Sequence, residues 1–510
     1  MSTRSFDYLG AAASGILLAL SFPKFGHPAV AWIALTPLLV ALAAPAVGRG
    51  STLRHAFFLG LTTGAVYFGG TLYWLVTVMA RYGGMHVLVA VPIAGALVAY
   101  LALFPALFAL VVRRVILAHG AAALMAAPLV WVATEFGRSY LFTGFPWVLL
   151  GYSQATVLPI AQLASVFGVF GLSMLVASVG AALAMVVPGR ARRAAYGPAV
   201  VVLLVVAGVA MWGSRRVAAG EWTRAGTAIR VGIVQGNVDQ AEKWDPARAD
   251  AIFQEYLRMT RDAIREGAAF VLWPESSTPF MFEEDPGRAA QIRRVARESR
   301  VPILVGSDQV ERGTPARYFN AAFLVGPDGS AGRAYRKMHL VPFGEYVPLR
   351  RVLFFAAPLV ESVSDFSPGR EAVLFSVAGH RVSTSICYEI VYPDLVRAFV
   401  AGGSELLTTI TNDAWYGRAS APYQHFEQAS LRAIEAGRYL VRSANTGISG
   451  IVDPYGRVAA RTALFAPAVV VGEARFLGTS TFYARHGDVL AYAAVVMTAL
   501  LLIAARRRVQ

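Results

Sequence analysis

The stretch Val382-Ser383-Thr384-Ser385-Ile386-Cys387-Tyr388-Glu389 reads as a β-branched strand that stops at a thiol and an acid. Val, Ile and Thr favour extended backbone because their branched side chains fit a pleated surface. The chain holds 1 cysteine in 510 residues, so no internal disulfide is open to it. Cys387 is then either a small buried hydrophobe or a nucleophile. Two ionisable residues upstream favour the nucleophile. Glu275 closes Val271-Leu272-Trp273-Pro274-Glu275, and Lys337 closes Tyr335-Arg336-Lys337. Strand ends of this kind are where α/β enzymes present reacting groups.

Outward from Cys387, strand-like and helix-like segments alternate. Strands are expected at 229–234, 269–273, 302–307, 320–325, 330–336, 373–377, 382–387, 406–411, 439–443 and 449–452. Helices are expected near 246–266, 287–300, 393–402 and 421–436, the first from apolar spacing at Ile252, Tyr256, Met259 and Ile264. Gly326-Pro327-Asp328-Gly329 and Ala378-Gly379 are turn signals. Such alternation predicts a two-sheet α/β layer structure. The sequence contains no Gly-rich phosphate loop, paired CxxC or HExxH, so neither a metal nor a cofactor is expected.

On either side of this region the composition changes. Apolar residues make up 56% of the chain, charged residues 15%, and mean hydropathy is +0.53. A soluble chain carries roughly 45–50% apolar residues. The excess lies before residue 213 and after 488. A bilayer core takes about 20 apolar residues per helix. That predicts eight spans, near 7–22, 28–46, 56–79, 86–111, 121–136, 158–187, 196–213 and 488–505. The first lacks the strongly basic start of a signal peptide and is expected to stay as an anchor. The organisation expected is a membrane domain at 1–213, a water-facing domain at 214–486, and a last span with its tail at 487–510.

Charge sets the expected orientation. Arg4, Arg49, Arg54, Arg113, Arg114, Arg190, Arg192, Arg193 and Arg506-Arg507-Arg508 fall on one side. Lys24, Arg81 and Arg138 fall on the other. The positive-inside rule puts the first set and both termini in the cytoplasm, and the large domain outside it. The net charge of +15 and pI near 10.1 are read as topology signals and contact with membrane lipids, not as nucleic-acid binding. The stretch Tyr140–Gly189 holds no Asp, Glu, Lys or Arg. Its Phe145-Pro146-Trp147 to Gln154 part is either a packed loop at the outer face or a place that holds lipid.

The chemistry these residues suit is acyl transfer. A thiol with a pKa near 8.5 needs a base or cation to become a nucleophile. Glu275 is placed as the acid–base group and Lys337 as the stabiliser of thiolate and oxyanion. His339 and His425 read as structural.

The settings Trp273-Pro274-Glu275, Arg336-Lys337 with Pro342-Phe343-Gly344-Glu345, and Ile386-Cys387-Tyr388-Glu389 resemble the Glu-Lys-Cys triad of the nitrilase (carbon–nitrogen hydrolase) superfamily. Further motifs are Gln235-Gly236-Asn237, Lys243-Trp244, Asn412-Asp413-Ala414-Trp415-Tyr416-Gly417, Gln424-His425-Phe426 and Ala444-Asn445-Thr446-Gly447. With these and the apolar spans, the whole chain resembles the apolipoprotein N-acyltransferase family of the bacterial inner membrane.

That resemblance implies a polytopic α-helical membrane domain joined to an α/β nitrilase-like αββα sandwich on the periplasmic side. It implies an acyl donor, usually phosphatidylethanolamine, and an acceptor, the diacylglyceryl-cysteine of an apolipoprotein, linked by a thioester on Cys387. Glu345 and Glu389 resemble further carboxylates of the family; they orient the lysine and tune the thiol, or form surface ion pairs. The Tyr388 N–H is a candidate oxyanion donor. Trp244 and Trp415 wall the site or pack the core. Two rivals remain at this point: a membrane-anchored amidase of small amides, and a transporter with an appended binding domain. Against the transporter, the spans carry few ionisable residues, Glu135 being the main one.

Overall fold

The computed structural model describes residues 3–43, 52–81, 84–186, 196–240, 242–342, 344–346 and 366–508. Arg49, Arg190, Arg192, Arg193, Phe343 and the last residues of the second and sixth expected spans lie outside them. The chain forms two compact units, one from 1–77, 86–219 and 486–510, the other from 78–85 and 220–485.

In the first unit, Val87–His119, Ala164–Val186, Tyr196–Thr223 and Val489–Arg507 are long and apolar enough to cross a bilayer alone. Leu53–Thr71 and Trp74–Arg81 make a fifth if taken as one span bent by 52°. Ser5–Ala19, Pro28–Leu42 and Ala127–Tyr140 are shorter helices at the remaining expected positions. Prolines and glycines explain several breaks. Pro28 and Pro37 each restart a helix near its first residue, and Gly168 leaves helical geometry at φ 63°. Helix 53–71 presses on helix 87–119 at Gly60 and Gly64. A Cβ at Gly60 would lie 2.2 Å from the Pro105 carbonyl oxygen, and one at Gly64 would lie 2.6 Å from the Ala102 Cα. Small residues four apart admit this close approach.

Two charges assigned above to loops are buried instead. Helix 87–119 continues past Arg113, whose Nη1 donates to the Leu42 carbonyl at 2.8 Å. Arg138 donates to the carbonyls of Phe145 at 3.1 Å and Trp147 at 2.8 Å, while Glu135 Oε1 accepts from the Leu150 N–H at 2.7 Å. Tyr67 donates to the Val148 carbonyl at 2.5 Å. Buried side chains thus satisfy carbonyls and an N–H of the 145–155 stretch, which packs as a loop; its role towards lipid stays an expectation.

The second unit is built on two six-stranded sheets. The strands are β1 (Thr227–Gln235), β2 (Phe270–Leu272), β3 (Ile303–Glu311), β4 (Arg317–Val325), β5 (Tyr335–Arg336), β6 (Leu374–Val377), β7 (His380–Ile386), β8 (Leu406–Thr411), β9 (Leu440–Ala444), β10 (Gly450–Val452), β11 (Val458–Arg461) and β12 (Ala468–Phe476). One sheet runs β12-β1-β2-β3-β4-β5 and the other β11-β10-β9-β8-β7-β6. Each has three parallel strands at its centre, β1-β2-β3 and β7-β8-β9, with antiparallel edges. Helices 246–265 and 286–299 connect the first trio, and helices 393–401 and 421–436 connect the second. Parallel neighbours need such crossovers. Ile252, Phe253, Tyr256, Ile292 and Val295 from the first pair of helices pack with Val271, Trp273, Ile303 and Val305 into a buried core. The Ser443 hydroxyl on β9 donates to the Val234 carbonyl on β1 at 2.9 Å, so the two sheets face each other.

Four expectations change. The 330–336 strand shrinks to Tyr335–Arg336 plus an isolated bridge at Ala331, because Gly332 interrupts its side-chain pattern. Cys387 leaves the strand and opens a 3₁₀ turn, Cys387–Val391. Strands β11 and β12 were not expected; they lie at sheet edges, β11 mostly exposed and β12 mostly half-buried.

Candidate active site

The parallel strands deliver their chemistry at their carboxyl ends, the usual ligand-binding edge of such sheets. Glu275 follows β2, Cys387 follows β7, Asn412 follows β8 and Asn445 follows β9. Lys337 directly follows β5. Trp273 fixes the approach to Glu275: its indole is fully buried against Tyr256 and donates to Thr260 Oγ1 at 2.7 Å. Gly306 on β3 lets the Glu275 loop press close, since a Cβ there would sit 2.1 Å from the Pro274 carbonyl oxygen.

Lys337 is 1% exposed and lies between two carboxylates. Its Nζ is 2.9 Å from Glu345 Oε1 and 3.3 Å from Glu275 Oε1. Asn320 Nδ2 donates to both acids, at 2.6 Å to Glu275 and 3.0 Å to Glu345. The second Glu275 oxygen accepts from the Asn412 N–H at 2.8 Å, and that of Glu345 from the Val341 N–H at 2.8 Å. Burial opposes charge on Lys337, but Glu345, Glu275 and Cys387 together hold its ammonium well above the usual lysine range. Burial likewise works against the Glu275 carboxylate; Lys337, Asn320 and Asn412 outweigh it and hold its pKa below the ordinary value.

Cys387 is 7% exposed and adopts φ +54°, a left-handed conformation that side chains rarely take. Ser276 and Asn237, beside Glu275 and Gln235, are also left-handed, at φ 41° and 52°. Backbone strain gathers at functional sites. Burial pushes the Cys387 thiol up; Glu275 adds to this and Lys337 opposes it. Glu275 and Lys337 thus lie within electrostatic reach of the thiol.

Glu389 is fully buried and accepts five contacts from four donors. Tyr335 OH reaches both its oxygens at 2.8 Å, the N–H groups of Met338 and His339 bind Oε1 at 2.6 and 3.1 Å, and the Ile386 N–H binds Oε2 at 2.7 Å. It therefore ties the Lys337 segment to the Cys387 turn, and burial pushes its own carboxyl up to about 7. Neither Glu345 nor Glu389 makes a surface ion pair. Tyr388 is buried beside Tyr392, with ring centroids 5.2 Å apart. Trp415 is half-buried in the turn Asp413–Tyr416. Trp244 is 47% exposed, so it is not core packing.

His425 is structural, as read, but closer to the thiol than the sequence indicated. Its Nε2 is 3.2 Å from the Cys387 carbonyl oxygen, and its Nδ1 is 3.1 Å from both Asp413 Oδ1 and Arg442 Nη2. Burial and Arg442 lower its pKa, while Asp413 and the Cys387 carbonyl oppose them. The residues missed by sequence are the amide Asn320 and the acid Asp308, which accepts from Ser276 Oγ at 2.6 Å. Asn412 stands in a quoted motif but was given no role there; Asn320 lies within β4 and carried no signal.

Two family matches cover most of the sequence: Apolipoprotein N-acyltransferase N-terminal domain over residues 14–182, and Carbon-nitrogen hydrolase over 230–491. An apolipoprotein N-acyltransferase of Geobacter metallireducens is 43% identical over 508 residues, 98% of this chain and 96% of that protein. The chain belongs to the apolipoprotein N-acyltransferase family. A second member, from Methylococcus capsulatus, is 36% identical over 94% of this chain and 92% of its own. Among solved structures, an amidase of the nitrilase superfamily from Nesterenkonia AN1 is 20% identical with TM-score 0.40, covering 53% of this chain and 98% of that one. The N-terminal match falls mostly on residues of the first unit, outside the carbon–nitrogen hydrolase match, which weakens the amidase reading.

Proposed function

We propose that this protein is an inner-membrane acyltransferase that moves an acyl chain from a phospholipid, phosphatidylethanolamine in particular, to the N-terminal α-amine of the diacylglyceryl-cysteine of an apolipoprotein. Cys387 Sγ attacks the ester carbonyl while its proton passes to Glu275. Lys337 stabilises the oxyanion. The carbon–oxygen bond then breaks, Glu275 returns the proton to the departing glycerol oxygen, and lysophospholipid leaves. In the second half the α-amine attacks the thioester, gives its proton to Glu275, and the carbon–sulfur bond breaks to restore the thiol. Glu345 and Glu389 position the lysine and the thiol turn, Tyr388 N–H is a second oxyanion donor, and Trp244 and Trp415 wall the site. No cofactor or metal takes part in these steps.

The observation that carries this reading is the buried Glu275–Lys337–Glu345 cluster within electrostatic reach of the chain's single thiol. A low carboxylate pKa facing a high thiol pKa favours proton transfer only as the carbon–sulfur bond forms. The thiol is therefore activated as it attacks a bound ester and not beforehand. In this reading residues 1–213 and 487–510 lie in and beside the bilayer, crossing it eight times when the shorter apolar helices are included, with the 214–486 domain periplasmic and both termini cytoplasmic. The test supplies purified protein with phospholipid and a diacylated lipopeptide. Lysophospholipid and triacylated peptide are expected together; release of free fatty acid alone would contradict the transfer.

A further inference from the structure

Outside the triad, one charge near the site is unaccounted for. Lys243 is 5% exposed, and among the described residues its ammonium has no hydrogen bond or ion pair. Among the described residues its close partner is the ring of Trp244, 5.3 Å from Nζ to centroid. Asp308 and Glu275 act on it electrostatically from beyond ion-pair distance, while burial works against its charge. A buried ammonium without an anion is costly.

The loop that carries it is held firmly. The Val238 N–H donates to Asn445 Oδ1 at 2.9 Å, Asn445 Nδ2 donates back to the Val238 carbonyl at 2.8 Å, and Asn412 Nδ2 donates to Gln240 Oε1 at 2.7 Å. Asn412 is the residue whose N–H holds Glu275. The sequence motif Lys243-Trp244 thus stands on the same support as the base, yet the triad chemistry leaves it unused.

We propose that Lys243 is the seat of the phosphodiester of the acyl donor. This rests on the phospholipid donor proposed above. The donor must carry an anion a few bonds from the reacting ester, joined to it through the glycerol carbons. The acceptor instead arrives as an α-ammonium, which a buried lysine repels. Filling the seat removes the unpaired charge beside Trp244, and it sets the ester carbonyl in register with Cys387 by a contact that takes no part in bond making.

The test uses the full-length protein in detergent–phospholipid micelles, with Lys243→Met and Lys243→Arg. One readout is acyl-adduct formation on Cys387 as phospholipid concentration is varied. The other is the alkylation rate of Cys387, the only thiol, by iodoacetamide, which carries no charge. Lys243→Met is expected to raise KM for phospholipid about tenfold, with a smaller effect on kcat and the alkylation rate kept within about twofold. Lys243→Arg is expected to recover most of the KM. An unchanged KM in Lys243→Met overturns the proposal. Slowed alkylation also overturns it, because Lys243 would then act on Glu275 and the thiol instead of the donor. If Lys243→Met does not fold, Lys243→Arg decides: a normal KM supports the seat, and a KM raised as much as the alkylation rate is lowered opposes it. A wild-type protein that forms no adduct from phospholipid, while still alkylating, removes the donor reading itself.

Discussion

At the residue scale, the account turns on three side chains and one dihedral angle. Cys387→Ala is expected to abolish adduct formation and transfer, and Cys387→Ser to be nearly as inactive, because a hydroxyl is far harder to deprotonate than a thiol. Glu275→Gln keeps size and removes the basic oxygen; adduct formation should fall about 10³ to 10⁴-fold, near the upper end for general acid–base groups. A normal adduct rate in Glu275→Gln, with failure only towards the amine, would confine Glu275 to the second half-reaction. The left-handed backbone at Cys387 yields a separate expectation. Cys387→Gly relieves strain that Cys387→Ala keeps, so of these two inactive variants the glycine one should be more stable, by about 1 kcal/mol, as read by thermal unfolding in detergent. Acidity has a predicted sign too. Glu275 is held below its ordinary value, so the ionised base persists as pH drops. The acid limb of the adduct rate should fall below the free glutamate value of about 4.3. Its contribution to stability is present above that unfolded value and is lost only as pH falls through the lower folded one. A rate that halves near pH 6 would contradict this.

At the scale of elements, the site is made by strand ends and by the ties between them. Glu389 gathers donors from β5, the segment after it and the end of β7. All five contacts are donations, so Glu389→Gln places an NH₂ against at least one N–H or O–H. Leaving a buried donor unpaired costs about 1–3 kcal/mol. That variant should unfold earlier and acylate more slowly, while Glu275 and Lys337 remain unaltered. Gly306→Ala is expected to displace the Glu275 loop, because its Cβ would meet backbone and not a movable side-chain tip. Adduct formation should drop at least tenfold with the fold kept, as read by circular dichroism. The strands that lead to Glu275 and Cys387 were legible because Val271–Trp273 is apolar and Val382–Ile386 is rich in β-branched residues, and each leads to an ionisable residue. Strands β11 and β12 were not: β11 is four residues and mostly exposed, and β12 passes from an apolar run through Gly472 to charged residues. Asn320 was illegible for a different reason: an amide in mid-strand carries no sign of the two acids that it will join.

At the scale of the whole molecule, composition separated the membrane-facing stretches from the mixed domain, and the helices follow those stretches. Their count did not follow, since prolines and Gly168 break segments that hydropathy reads as continuous. Arg113 and Arg138 were misjudged as loop charges because hydropathy cannot see a buried arginine that caps carbonyls. The topology proposed here still rests on Arg4, Arg54, Arg114 and Arg506–Arg508 on one side. A reporter active only in the cytoplasm should signal when fused at the C-terminus and stay silent when fused after Arg224; the reverse would overturn the orientation. The central claim is that one thiol carries the acyl chain between two lipid substrates. Intact mass spectrometry after incubation with phospholipid alone tests it most directly. The account predicts a mass increase of one acyl chain on Cys387, matched by released lysophospholipid, absent in Cys387→Ala, and discharged when a diacylated lipopeptide is added. Lysophospholipid release without an adduct, or an adduct that persists in Cys387→Ala, would contradict it.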